Sequence, residues 1–156
     1  MLCHGEAHIM VDECGAPEFF AHGSRLAPVA GPGGMMEPAA LRRALAGFDP
    51  AFVHGGRPVA VSISQSAESG ALYAPTTVQE IASIAHEHGL AVHMDGARFA
   101  NAVAALRISP AEASWKAGVD VLSFGGTKNG CWCAEAIVFF DREKACLLYT
   151  SPSPRD

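Results

Sequence analysis

Short apolar runs alternate with amphipathic segments along this chain. Three runs rich in β-branched or other apolar residues predict buried strands, at residues 58–65, 90–94 and 119–122. Between the first two runs, the apolar positions of residues 76–88 recur at helical spacing, and Gly89 follows directly. A strand, a helix and a strand in this order indicate a right-handed crossover between parallel strands. The pattern therefore predicts an α/β fold, in which helices flank a mostly parallel sheet.

The remaining pattern predicts further elements of both kinds. They are helices over residues 13–21, 37–46 and 109–117, a short strand over residues 25–30 and a buried strand over residues 136–140. Capping boxes are predicted at residues 109–112 and in the first turn of helix 76–88. In the first helix, Phe19 and Phe20 are expected to serve packing and not chemistry.

Composition narrows the class of protein. The chain has 156 residues, of which 49% are apolar and 17% are charged, as expected for one globular domain. Its net charge of −5, without a lysine or arginine cluster, argues against a nucleic-acid surface. It has neither an apolar stretch of membrane-spanning length nor the basic start of a secretory signal. We therefore expect a cytoplasmic protein, whose five irregularly spaced cysteines are reduced.

Charged side chains stand where two of the predicted strands end. Asp95 and Arg98 follow the strand at residues 90–94, and Lys128 lies in a glycine-rich loop after the strand at residues 119–122. The carboxyl ends of parallel strands form the crevice in which ligands bind, so these side chains are candidates for chemistry. A nucleotide phosphate loop is the alternative for residues 125–128, but its GK[ST] ending and spacing are absent.

A metal site is a second alternative, at the amino-terminal group of Cys3, His4, Glu6 and His8. The spacing of these residues matches no zinc pattern, and no second ligand pair follows. We therefore expect no metal.

The segments around Asp95 and Lys128 resemble a known enzyme family. Residues 93–102 read HMDGARFANA and residues 123–130 read SFGGTKNG, in the order and at the spacing typical of the low-specificity L-threonine aldolase family of fold-type I pyridoxal phosphate enzymes. The resemblance implies pyridoxal 5′-phosphate as the cofactor. It also implies a small β-hydroxy amino acid as the substrate, which is cleaved to glycine and an aldehyde by a homo-oligomeric parent enzyme.

The same resemblance implies a role for each candidate residue. Lys128 would form the Schiff base with the cofactor aldehyde, and Asp95 would pair with the pyridine nitrogen. His8 would stack on the pyridine ring, with a core histidine satisfied by backbone as the alternative. Arg98 would hold the substrate carboxylate. Glu68 stands where much of the family has a histidine beside the substrate hydroxyl, and it is either the base for that proton or an ordinary loop residue.

Two further alternatives remain. Another fold-type I enzyme, such as a β-eliminating amino acid lyase, would share Asp95 and Lys128.

The chain also resembles a fragment, with residues 1–145 forming part of the large cofactor domain. Residues 146–156 resemble a translated sequencing adaptor, with a natural Ser/Pro-rich tail as the alternative. We expect such a fragment to bind cofactor weakly and to turn over poorly.

Overall fold

A computed structural model describes residues 1–49, 51–52 and 54–145. Within them, one sheet of six strands is formed, with the order β2-β1-β3-β4-β5-β6. The strands are β1 (Leu2–His4), β2 (Ala27–Val29), β3 (Ala60–Ser64), β4 (Ala91–Asp95), β5 (Val121–Gly125) and β6 (Glu135–Phe139). Neighbours among β1 to β5 are parallel, and β6 is antiparallel to β5. The tail that we predicted over residues 146–156 lies outside the described residues.

Helices flank this sheet. They are α1 (His8–Val11), α2 (Ala16–Phe20), α3 (Pro38–Ala46), α4 (Pro75–Glu87) and α5 (Phe99–Leu106). The apolar side of α4 buries Val78, Ile81 and Ile84, and α3 buries Leu41 beside it. These side chains join the sheet residues in one core. In the described part of the chain, no helix is both long and apolar enough to cross a membrane.

The predicted α/β fold with a mostly parallel sheet is confirmed. Each predicted strand overlaps an observed one, and the helices predicted over residues 37–46 and 76–88 correspond to α3 and α4. The helix predicted over residues 13–21 is shorter, as α2. Among the described cysteines, Cys3, Cys14, Cys131 and Cys133 are free thiols, as expected.

The helix predicted over residues 109–117 is wrong, although its capping box forms. Ser109 N donates to Glu112 Oε2 at 2.8 Å, and Glu112 N donates to Ser109 Oγ at 3.2 Å. The chain then leaves helical geometry at Ser114, where φ is −132° and ψ is −103°. Because Ser114 Oγ turns back to donate to Pro110 O at 2.6 Å, the segment continues as a turn and a 3₁₀ helix, Trp115–Ala117.

The capping box predicted for α4 is also wrong. Pro75 occupies the first turn of α4, so Ala74 is the N-cap and makes no side-chain cap.

One expectation about packing and one about burial fail as well. Phe19 and Phe20 are 77% and 76% exposed, because α2 buries none of its residues and the two rings pack edge to face on each other. The strand predicted over residues 136–140 exists as β6 but is exposed, with Ile137 at 56%. In the described sheet β6 is an edge strand, with β5 as its neighbour on one side. The apolar pattern of the sequence does not reveal whether a strand lies at an edge.

Candidate active site

A cleft of about 390 Å³ opens at the carboxyl ends of the parallel strands. Four of the predicted site residues line it, namely His8, Glu68, Asp95 and Lys128. Asp95 is the last residue of β4, and His8, Glu68 and Lys128 follow the ends of β1, β3 and β5 respectively. The topology therefore brings together segments that are far apart in the sequence. Arg98, the fifth, stands beside the cleft and is bound to Glu68. The structure thus assembles all five candidates at the edge of the sheet where the sequence predicts a site.

The turn after β4 fixes Asp95. Its Oδ1 accepts a hydrogen bond from Ala97 N at 2.9 Å, while Gly96 N donates to Ser123 O of β5 at 2.8 Å. A side chain at Gly96 would place Cβ 2.6 Å from Leu122 Cδ1 and 2.8 Å from Ser123 O, so this turn requires glycine. Within the described chain, no hydrogen bond engages Asp95 Oδ2. This oxygen can therefore accept a proton-bearing nitrogen of a ligand.

Lys128 lies in the 3₁₀ turn Thr127–Asn129 after β5, and its neighbour Asn129 ties that turn to the Asp95 turn. Asn129 Nδ2 donates to three backbone carbonyl oxygens, and Asn129 Oδ1 accepts from Ala100 N at 2.8 Å. The carbonyls are those of Gly96 at 3.0 Å, Ala97 at 3.2 Å and Gly125 at 2.6 Å. No hydrogen bond or ion pair among the described residues engages Lys128 Nζ. The amine is therefore available on a turn of fixed position.

His8 is oriented by a partner that sequence reasoning missed. Its Nδ1 donates to Glu13 Oε1 at 2.6 Å, because a carboxylate can only accept. Glu13 also lines the cleft, although the sequence suggested only that it begins a helix. By contrast, the nearby His4 has both nitrogens satisfied by backbone, through Glu6 N and Gly31 O. A core histidine satisfied by backbone, the alternative considered for His8, therefore describes His4 and not His8.

Glu68 and Arg98 form an ion pair. Arg98 donates through one terminal nitrogen to Glu68 Oε1 at 3.0 Å, and the side chains are 31% and 29% exposed, respectively. This hydrogen bond holds the pKa of Glu68 below its ordinary value of 4.5. Partial burial opposes the shift, whereas the positive charges of Arg98, His8 and Lys128 support it. At neutral pH Glu68 is therefore a carboxylate, with Arg98 as its direct partner.

His93 is another cleft residue to which the sequence analysis gave no role. It bridges two strands, with Nδ1 2.9 Å from Ser62 Oγ of β3 and Nε2 2.9 Å from Ser123 Oγ of β5. Burial lowers its pKa, so the imidazole is neutral near pH 7. The sequence held a signal for this role, because side chains alternate between the two faces of a strand. Val92 and Met94 are buried on one face of β4, so His93 lies on the other face, together with Asp95.

Known proteins match this chain over nearly its whole length. The sequence model of a family described as beta-eliminating lyase matches residues 1–149. Two curated relatives, both named low specificity L-threonine aldolase, are each 49% identical over 146 residues, and they come from Pseudomonas sp. (strain NCIMB 10558) and Pseudomonas aeruginosa. Each alignment covers 93% of this chain but 41% of the relative. The chain therefore spans about two fifths of the length of these relatives.

Solved structures give the same picture. The Leishmania major threonine aldolase matches with a TM-score of 0.79 and 28% identity, over 90% of this chain and 40% of that chain. A Listeria monocytogenes protein described as an L-allo-threonine aldolase matches with a TM-score of 0.71 over 91% of this chain and 36% of that chain. At 19% identity, the second similarity supports the fold alone.

Proposed function

Since the chain belongs to the beta-eliminating lyase family, we propose that it is the cofactor-binding part of a pyridoxal phosphate-dependent threonine aldolase. The parent enzyme would cleave L-threonine, L-allo-threonine and related β-hydroxy amino acids to glycine and an aldehyde. One observation supports this most directly: Asp95 and Lys128 line the same cleft, on turns joined by Asn129. The names of the two Pseudomonas relatives support the choice of substrate.

The residues of the cleft fit pyridoxal phosphate. Asp95 offers a carboxylate oxygen for a protonated ring nitrogen, Lys128 offers an amine for the aldehyde, and His8 offers a flat imidazole held by Glu13. When bound, the cofactor supplies an electron sink for the charge that develops on the substrate Cα. The donor set is therefore suited to this group.

Each side chain then has a task of its own. Asp95 holds the proton on the ring nitrogen, since its negative charge stabilises the protonated form. Lys128 would hold the cofactor through its aldehyde group, because its amine is a nucleophile at the cleft. Arg98 orients the substrate by binding its carboxylate with the planar guanidinium group. Glu68 accepts the β-hydroxyl proton, because it is an ionised carboxylate at the cleft.

Product analysis tests this proposal against its nearest alternative. The chain is incubated with pyridoxal phosphate and L-threonine, and the products are identified by NMR and mass spectrometry. We expect glycine and acetaldehyde in small amounts, and none of either with Lys128→Ala. A β-eliminating amino acid lyase would instead yield a 2-oxo acid and ammonia, and that result would contradict the aldolase assignment.

The proposal extends to the parent protein. We propose that it is a cytoplasmic homo-oligomer acting on a small molecule. Residues 1–145 of the present chain would be part of its large domain, and residues 146–156 would be a tail that the parent protein lacks. The length of the relatives and the exposed β6 edge support a larger assembly. The net charge of −5 supports a partner other than nucleic acid. Light scattering on the full-length parent tests the oligomer, and a monomer would contradict it.

A further inference from the structure

Two residues expected to contact the substrate are bound to each other in this structure. Arg98, expected to hold a carboxylate, already holds one, that of Glu68, at 3.0 Å. Glu68, expected to accept a proton, is held in its ionised form by the same contact. Because each group is already engaged by the other, a substrate competes with this ion pair for Arg98 and for Glu68.

We propose that Glu68 occupies the substrate-carboxylate position on Arg98 until an amino acid arrives, and that the exchange of carboxylates releases Glu68 as the base for the β-hydroxyl proton. This inference rests on the proposed function. It couples recognition to chemistry, because a ligand without a carboxylate would leave Glu68 bound to Arg98.

The geometry of the pair favours such an exchange. Within the described residues, one hydrogen bond joins the two side chains, although a guanidinium group has five N–H donors. Partly exposed ion pairs are weak, and both side chains here remain about a third exposed. An incoming carboxylate that takes two parallel hydrogen bonds from Arg98 is the stronger partner. Water and substrate can reach the pair without unfolding the loop.

The loop that carries Glu68 is fixed at its base, so a side-chain rotation is sufficient. Gln65 Nε2 donates to Tyr73 O at 2.9 Å, and Tyr73 N donates to Gln65 Oε1 at 3.1 Å. Closer to Glu68, Ala67 N donates to Ala71 O at 3.0 Å. The backbone of Glu68 therefore stays beside the cleft when its carboxylate leaves Arg98.

Release also makes Glu68 a stronger base. The charged groups that act on its carboxylate are Arg98, His8 and Lys128, and Arg98 contributes the largest effect. Neutralising Arg98 with the substrate carboxylate raises the pKa of Glu68 towards its ordinary value. The hydroxyl proton then moves to Glu68, and the O–H electron pair forms the aldehyde carbonyl. The electron pair of the breaking Cα–Cβ bond stays on Cα, which takes up a proton to become glycine.

The exchange can be measured without turnover. The chain is labelled with ¹³C-glutamate and ¹⁵N-arginine and saturated with pyridoxal phosphate, and the Glu68 Cδ and Arg98 Nε resonances are followed by NMR across pH. Glycine is the probe, because it carries a carboxylate but no β-hydroxyl group. Glycinamide is the matched control, since it has the same amine but no carboxylate. Glu68→Gln assigns the glutamate signal.

We expect glycine to shift the Arg98 signal and to raise the pKa of Glu68, and glycinamide to do neither. Glu68→Gln should bind glycine about two- to fivefold more tightly, since the internal competitor is weakened, whereas Glu80→Gln on α4 should leave affinity unchanged. A shift of Arg98 without a change at Glu68 would overturn the exchange, as would no shift of Arg98. Neither result touches the proposed function, which the products from threonine decide separately.

Discussion

Asn129→Ala is the substitution with the most informative consequence. Asn129 joins the Lys128 turn to the Asp95 turn through three donated hydrogen bonds and one accepted one. The amide group has two N–H protons, so the three donated contacts amount to two full hydrogen bonds, and the accepted bond makes a third. At about 0.5–1.5 kcal/mol per bond, reduced because water reaches this turn, the loss amounts to about 1–3 kcal/mol. For a domain of this size, that corresponds to a fall in Tm of about 2–10 °C.

Thermal and urea unfolding followed by circular dichroism measure this loss. Asn101→Ala is the matched control, because Asn101 donates one exposed bond, to Lys128 O at 3.1 Å, and it should lower the free energy of unfolding by about 0.5 kcal/mol or less. Asn129→Asp keeps the acceptor for Ala100 N but turns an anionic oxygen towards three carbonyl oxygens. It should therefore destabilise at least as much as Asn129→Ala. Equal unfolding midpoints for the Asn129 and Asn101 variants would refute the reasoning.

Three further substitutions test other contacts by the same unfolding measurements. Gly96→Ala forces a Cβ against the next strand and should lower the free energy of unfolding by about 1–3 kcal/mol. Gly5→Ala is the control and should be nearly neutral, because its Cβ would lie 3.7 Å from the nearest atom. Equal stability of the two variants would contradict the clash at Gly96. Tyr73→Phe leaves the buried Met36 N–H without its acceptor and should cost about 1–3 kcal/mol, and a cost under about 0.5 kcal/mol would show that the bond is unimportant. For Asp120, burial raises the pKa, but hydrogen bonds outweigh it and the net pKa lies below the ordinary value of 3.8. Because the folded pKa is depressed, the stabilisation is present above about pH 4 and is lost as pH falls through the folded value. Asp120→Asn should therefore destabilise at pH 7 and converge with the wild type in acid, and a constant difference across pH would contradict this.

The sequence predicted the position of the site better than its internal contacts. Apolar runs that stop at a polar residue identify strand ends, so the chain's pattern alone places Asp95 and Lys128 at the same edge of the sheet. The pairing of Glu68 with Arg98 joins residues 30 positions apart. That pairing depends on how two loops meet and on which rotamers they adopt, and neither leaves a periodic signal. The contact of His8 with Glu13, five residues away, was missed because it depends on the rotamers of the two side chains.

The errors in secondary structure have a similar origin. The capping box at Ser109 was predicted correctly, yet a second serine, Ser114, donates to the carbonyl of Pro110, and the segment forms a turn instead of an α-helix. The apolar run that forms β6 was expected to be buried, because β-branched and aromatic residues usually are. A run of this kind does not show whether a neighbouring segment covers it, and the described residues leave Ile137 exposed.

Attachment of pyridoxal phosphate to Lys128 tests the central claim most directly. The chain is mixed with the cofactor, the yellow absorbance is recorded, borohydride then fixes the pyridoxal group to its amine, and peptide mass mapping locates it. We predict that the group is on Lys128, that Lys128→Ala loses both the absorbance and the label, and that Lys116→Ala keeps them. A label on Lys116, or one that persists in Lys128→Ala, would contradict the account.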